Sequence, residues 1–237
     1  MFDSIKNKFQ FRFKDRTYAA GVLAVALQDF LGNEKERTNN ITVLGIPRGG
    51  VIVAHMVATK LKASNFDIVI PRKLRIPQNE EAAFGAIMGD GTVYIDDRIV
   101  KDLDIPYEYV EKEKNLQMQE IERRYAMYRN RKEQRQQSLE NKINDDDDNA
   151  ATIILVDDGA ASGATVVVAA RSIRKAFNSR KLIIALPVAP KQTVELLRRE
   201  ANHVEVVTAP SLFFNSVGQY YQNFEPVSDE WVIEIMQ

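Results

Sequence analysis

A chain of 237 residues with 32 Lys plus Arg against 33 Asp plus Glu carries a net charge near −1, which excludes a global attraction for nucleic acid or acidic membranes. The lack of cysteine, with His55 and His203 as the only histidines, excludes disulfides, thiolate zinc sites and histidine-rich metal clusters. No apolar run reaches the roughly 20 residues of a membrane span, and Met1-Phe2-Asp3-Ser4-Ile5-Lys6 lacks the apolar core of a signal peptide, so a cytoplasmic protein without membrane association is expected.

In chain order, Asp15 reads as the N-cap of a helix running to about Leu31. The β-branched run Ile41-Thr42-Val43-Leu44-Gly45-Ile46 reads as a strand ending in Pro47-Arg48-Gly49-Gly50, and a helix from Val51 to Leu61 follows. Phe66 to Pro71 reads as a second buried strand, followed by a polar, glycine-containing stretch to Gly91. From Tyr107 to about Glu140 the sequence is charged and free of Gly and Pro, with Met118, Ile121, Tyr125 and Tyr128 at three- and four-residue steps. That spacing predicts one long amphipathic helix, a helical insertion spanning about 106–143. The acidic run from Asn144 to Asn149 reads as a solvated linker.

Thr152 to Val156 is the third strand, followed by a small-residue turn and a helix from Thr165 to Phe177. Lys181 to Val188 and Val204 to Thr208 read as further strands, with Gln192 to Glu200 helical between them. Strands that are apolar on both faces and alternate with helices predict a parallel sheet covered on both sides, in one domain over 1–237. Right-handed crossovers bring the loops after the strands to one edge, where ligands bind.

The most informative segment is Ile153-Ile154-Leu155-Val156-Asp157-Asp158-Gly159-Ala160-Ala161-Ser162-Gly163-Ala164-Thr165. Four apolar residues bury a strand, two adjacent acids stand where it leaves the sheet, and small residues lead into a helix. Backbone N–H groups of such a turn, together with the helix dipole, make a phosphate site, to which Ser162 and Thr165 add hydroxyls. The two carboxylates suit a diol, or a magnesium ion held directly or through water. A Walker loop does not fit, because no Gly-Lys-Ser/Thr follows the turn. A dinucleotide fingerprint does not fit either, because its acid follows the glycines. An aspartyl-nucleophile hydrolase needs an Asp-x-Asp geometry, which adjacent acids do not supply.

This segment resembles the 5-phosphoribosyl-1-pyrophosphate (PRPP) signature of type I phosphoribosyltransferases. Lys14-Asp15-Arg16, Gly45-Ile46-Pro47-Arg48-Gly49-Gly50, Pro71-Arg72-Lys73-Leu74, Ser216-Val217-Gly218 and Val227-Ser228-Asp229-Glu230 look like further pieces of an uncharacterised branch of that family. The resemblance implies an α/β fold with a small hood beside the sheet and, by analogy, a homodimer. It implies transfer of the phosphoribosyl group of magnesium-bound PRPP to a nitrogen of a nucleobase or similar heterocycle, with release of pyrophosphate. Asp157 and Asp158 would hold the ribose hydroxyls and the Mg2+, and Gly159, Ala160, Ala161, Ser162, Gly163, Ala164 and Thr165 the 5-phosphate. Pro47, Arg48, Gly49 and Gly50 would take the pyrophosphate. Arg48, Arg72 and Lys73 would carry the catalysis, with Arg75 as a third cation of a mobile loop.

The same resemblance points to a departure. Ala161 stands where oxopurine enzymes of the family keep a proton-handling aspartate, which puts hypoxanthine and guanine in doubt and leaves Glu80 and Glu81 as substitutes by proximity. Phe213 and Phe214 are either an acceptor pocket or core, and Tyr220, Tyr221 and Phe224 share that ambiguity. His55 and His203 read as packing or surface groups. The rival function is a PRPP- or nucleotide-binding regulator without turnover, with RNA contacts from Arg123, Arg124 and residues 129–135; retention of Arg48 and the basic loop favours the enzyme.

Overall fold

The computed structural model describes residues 12–33, 40–77, 79–129, 152–177 and 181–237. Five parallel strands, β1 (Ile41–Gly45), β2 (Asn65–Ile68), β6 (Thr152–Val156), β7 (Lys181–Val188) and β8 (His203–Thr208), form a sheet in the order β2-β1-β6-β7-β8. Its register sets Gly45 beside both Ile68 and Val156, so β1 and β6 end together. The continuous apolar runs have their cause in helices on both faces. α1 (Arg16–Asn33) and α2 (Gly49–Leu61) cover one face through Leu23, Leu27, Val53 and Val57. α5 (Ala164–Ala176) covers the other through Val166, Val167 and Ala170.

The remaining elements are β3 (Arg72–Ile76), β4 (Asn79–Ile87), β5 (Val93–Ile95), α3 (Asp97–Asp102), α4 (Tyr107–Arg129), α6 (Lys191–Leu197), a 3-10 turn at Val217–Tyr220 and α7 (Asp229–Ile235). Most elements follow the sequence expectation within a few residues. Asp15 caps α1, its Oδ1 accepting the Tyr18 N–H at 2.8 Å.

The stretch after Pro71 is a correction. The basic segment expected in a mobile loop is β3, paired antiparallel with β4, which in turn pairs with β5. Its alternation is disguised by register shifts on either side of Arg75. α5 is wedged between this small sheet and the large one, so its apolar surface is broader than one face. α4 packs along β3, burying Ile121 and Tyr128. Its expected extension to 140 and the acidic linker at 144–149 lie outside the described residues. No helix among the described residues is long and apolar enough to cross a membrane.

Candidate functional site

The chain leaves β6 at Asp157 and Asp158, and the Asp158 N–H bonds back to Asp157 Oδ1 at 2.8 Å. Asp158 Oδ2 accepts Arg16 Nε at 2.8 Å, a pair in which both side chains are about nine-tenths hidden from solvent (11% and 14% exposed). Arg16 also donates to the Glu225 carbonyl at 2.8 Å and lays its guanidinium 3.8 Å from the centre of the Phe224 ring. The Tyr221 hydroxyl donates to the Asp158 carbonyl at 2.6 Å. Residues before α1 are laced to this segment, Phe13 N–H to Tyr220 O and Gln222 N–H to Phe13 O, each at 2.8 Å. The N-terminal strap and residues 220–225 thus form one wall beside the acid pair.

The two acids are electrostatically unequal. Burial, then the neighbouring charge of Asp158, pushes the Asp157 carboxyl well above its ordinary range, opposed in part by Lys73. Burial also raises Asp158, but the Arg16 charge works against it. Asp158 is therefore the better stabilised anion, and Asp157 is the acid that gains most from an incoming cation or hydrogen-bond donor.

Gly159 to Thr165 wraps from the acids into α5. Ala160 N–H bonds to Val188 O at 3.0 Å, and the Thr193 hydroxyl donates to Ala161 O at 2.5 Å. Gly163 caps α5 at φ +80°, where an added Cβ would also stand 2.8 Å from Thr193 Cγ2. Ser162 Oγ lies 3.5 Å from the Ala164 N–H, and Ser162 is exposed. The first-turn N–H groups of α5 lack intrahelical partners by construction and carry the positive end of its dipole.

The loop after β1 comes directly against the acids. A Cβ on Gly50 would lie 2.6 Å from Asp157 Oδ1, and one on Gly49 would overlap the Asp158 carboxylate and stand 2.8 Å from Arg16 Nε. Gly-Gly is therefore required by close approach of two loops rather than by turn geometry. The Pro47–Arg48 peptide is cis. Arg48 begins α2 with its side chain 43% exposed. Gly50→Ala is expected to lower stability by about 1–3 kcal/mol, the usual cost of overpacking, and to displace Asp157. Thermal unfolding, compared with the exposed-site change Lys60→Ala in the same helix, checks this.

The other candidates divide. Lys73 is exposed and lies close enough to Asp157 to favour its ionised form. Arg72, the preceding residue on β3, turns to the opposite side, where its Nε donates to Gln117 Oε1 of α4 at 2.9 Å. The backbone N–H of Arg75 bonds to Glu113 Oε1 of the same helix at 3.1 Å. Arg72 and Lys73 thus do not converge, because successive strand residues face opposite ways. Phe213 is 75% exposed with φ +59°, and Phe214 stacks on Tyr220 with ring centres 5.3 Å apart. Glu80 and Glu81 lie on β4, with side chains outside the description. His203 stacks on Phe30 at 3.7 Å and His55 lies against Phe66. Arg123 and Arg124 both pair with Glu120, at 2.7 and 2.8 Å, which holds that carboxyl at about 2 and cancels part of their charge. A cavity of about 680 Å³ between the sheet and α4, lined by Leu44, Ile153, Tyr125 and Phe177 among others, touches neither acid.

Arg16 and Tyr221 are the residues whose contacts sequence reasoning missed. Arg16 stood within a motif, yet its partner is 142 positions away.

A parallel sheet covered by helices on both faces, with an acid pair and a small-residue turn at the carboxyl ends of its strands, defines a doubly wound α/β protein. The family model of the phosphoribosyl transferase domain matches residues 24–222, and the chain belongs to that family. It is 33% identical over 224 residues to the Mycobacterium tuberculosis (strain ATCC 25618 / H37Rv) protein named "Putative phosphoribosyl transferase Rv0571c" and equally to its counterpart MT0597 in strain CDC 1551 / Oshkosh. The match takes in 94% of this chain and 46% of theirs, so the chain spans about half the length of these curated relatives. The crystal structure of TT1426 from Thermus thermophilus superposes with a TM-score of 0.65 at 33% identity, covering 95% of this chain and 98% of that one.

Proposed function

We propose that this protein transfers the 5-phosphoribosyl group of PRPP to a nitrogen of a heterocyclic acceptor. The observation that carries this reading is the contact of Gly49-Gly50 with Asp157-Asp158, which joins a candidate pyrophosphate loop to a candidate ribose loop in one site. In this reading the first turn of α5 and the Ser162 hydroxyl take the 5-phosphate, and Asp157 accepts hydrogen bonds from the ribose hydroxyls.

The donor set argues for magnesium arriving with the substrate. Among the described residues no three His, Cys, Asp or Glu side chains converge as a metal cage, and one oxygen of Asp158 is taken by Arg16. Mg2+ keeps several waters and phosphate oxygens as ligands, so magnesium PRPP needs only the two acids at its edge. In the reaction the anomeric C–O bond breaks with both electrons going to pyrophosphate, and the acceptor nitrogen forms the new C–N bond and then loses its proton. Arg48, the loop N–H groups and Lys73 stabilise the charge on the departing pyrophosphate. Ala161 has no group to take the acceptor's proton, which favours acceptors that shed it to water. Phe224, the partly exposed ring of the wall beside the acids, is the surface on which a planar acceptor would lie.

Calorimetric titration with magnesium PRPP tests the reading. Binding is expected in the wild type, with thermal protection of about 2.7 kcal/mol at a hundredfold excess over Kd, and none in Asp157→Asn/Asp158→Asn. Folded wild-type protein that gives neither heat nor protection would disprove the assignment. Binding would license a nucleobase screen read by pyrophosphate release.

A further inference from the structure

The Arg48 side chain is half exposed on a loop, and a free arginine there would sample many rotamers before meeting a ligand. It is not left free. Its Nη1 lies 4.0 Å from Asp229 Oδ1, at the first position of α7. The same Asp229 oxygen accepts a 2.5 Å hydrogen bond from the Tyr128 hydroxyl near the end of α4. Both supports are anchored. Ser228 caps α7 by accepting the Trp231 N–H at 3.2 Å, while Val232, Tyr128 and Val51 of α2 share one apolar cluster. Two elements remote in sequence thus converge on the arginine of the loop between β1 and α2.

We propose that Asp229 and Tyr128 are positioning residues that hold the Arg48 guanidinium in place for the pyrophosphate of the substrate. The inference rests on the proposed function, since it needs Arg48 to meet that anion. Tyr128 is the informative member. Removing its hydroxyl leaves every charge in place, whereas neutralising Asp229 both frees Arg48 and removes a negative charge from the neighbourhood of the ligand.

Titration with magnesium pyrophosphate of wild type, Tyr128→Phe, Arg48→Ala and the double variant forms a double-mutant cycle. Tyr128→Phe is expected to weaken binding about three- to tenfold, Arg48→Ala more strongly, and Tyr128→Phe to have no further effect once Arg48 is alanine. An equal loss from Tyr128→Phe in both backgrounds would mean a merely structural role, and the inference would be wrong. So would full affinity in Tyr128→Phe alongside weakened Arg48→Ala, an outcome that leaves the functional reading intact. If the wild type binds no pyrophosphate, or Arg48→Ala binds as well as wild type, the assignment of this loop and the inference fall together. Should Tyr128→Phe not fold, Asp229→Asn completes the same cycle, with Asp229→Glu expected to recover part of the loss.

Discussion

Arg16→Met is expected to lower the unfolding midpoint by about 6–12 °C. Breaking a buried ion pair from one side costs about 3–5 kcal/mol, because a charge is left without compensation. The low end applies here, since both side chains retain slight exposure. About 3 kcal/mol corresponds to that midpoint change in a chain of this size. Methionine keeps the apolar stem against Phe224 while removing the bonds to Asp158 and the Glu225 carbonyl. Adding Asp158→Asn to Arg16→Met should recover a large part of the loss, because it deletes the stranded charge. Thermal unfolding of the two variants decides the point: a single variant within about 1 kcal/mol of wild type would mean that solvent already screens the pair.

Asp157→Asn is expected to act in the opposite direction on stability while abolishing binding of magnesium PRPP. Burial and the adjacent Asp158 raise the folded-state pKa of Asp157 above its unfolded value. The native state therefore holds this proton more tightly than the unfolded chain does. Stability from this group is fully present below the unfolded value of about 4 and is lost as pH rises through the folded-state value. At neutral pH the amide removes that penalty, and a higher unfolding midpoint than in the wild type is expected. The two proteins should converge near pH 4. A midpoint that is lower in Asp157→Asn at neutral pH, or a difference that does not shrink toward acid, would refute this account. The underlying conflict is common at binding sites, where a group kept ready for a ligand is left unsatisfied without it.

How far the sequence reaches can be judged residue by residue. β1, β6 and β7 were legible because a strand buried on both faces must be apolar at every position, a constraint written locally. The turn after β6 was legible for the same reason: a run of small residues and a helix start are properties of neighbours in the chain. β3 and β4 were not legible, because charges at Arg72, Lys73 and Arg75 hide the period and shifts in register break it. The direction of Arg72 followed only once β3 was packed against α4.

Composition and periodicity by themselves thus determined a doubly covered parallel sheet and the position of its acid-bearing edge. Tertiary structure alone decided that Arg16 compensates Asp158, that Gly49 and Gly50 are small because the acids lie on them, and that Asp229 stands beside Arg48. Backbone preference and burial pattern act between near neighbours and so leave a trace in the order of residues. An ion pair spanning 142 positions depends on how separate elements meet, and that is settled only when the whole chain is packed.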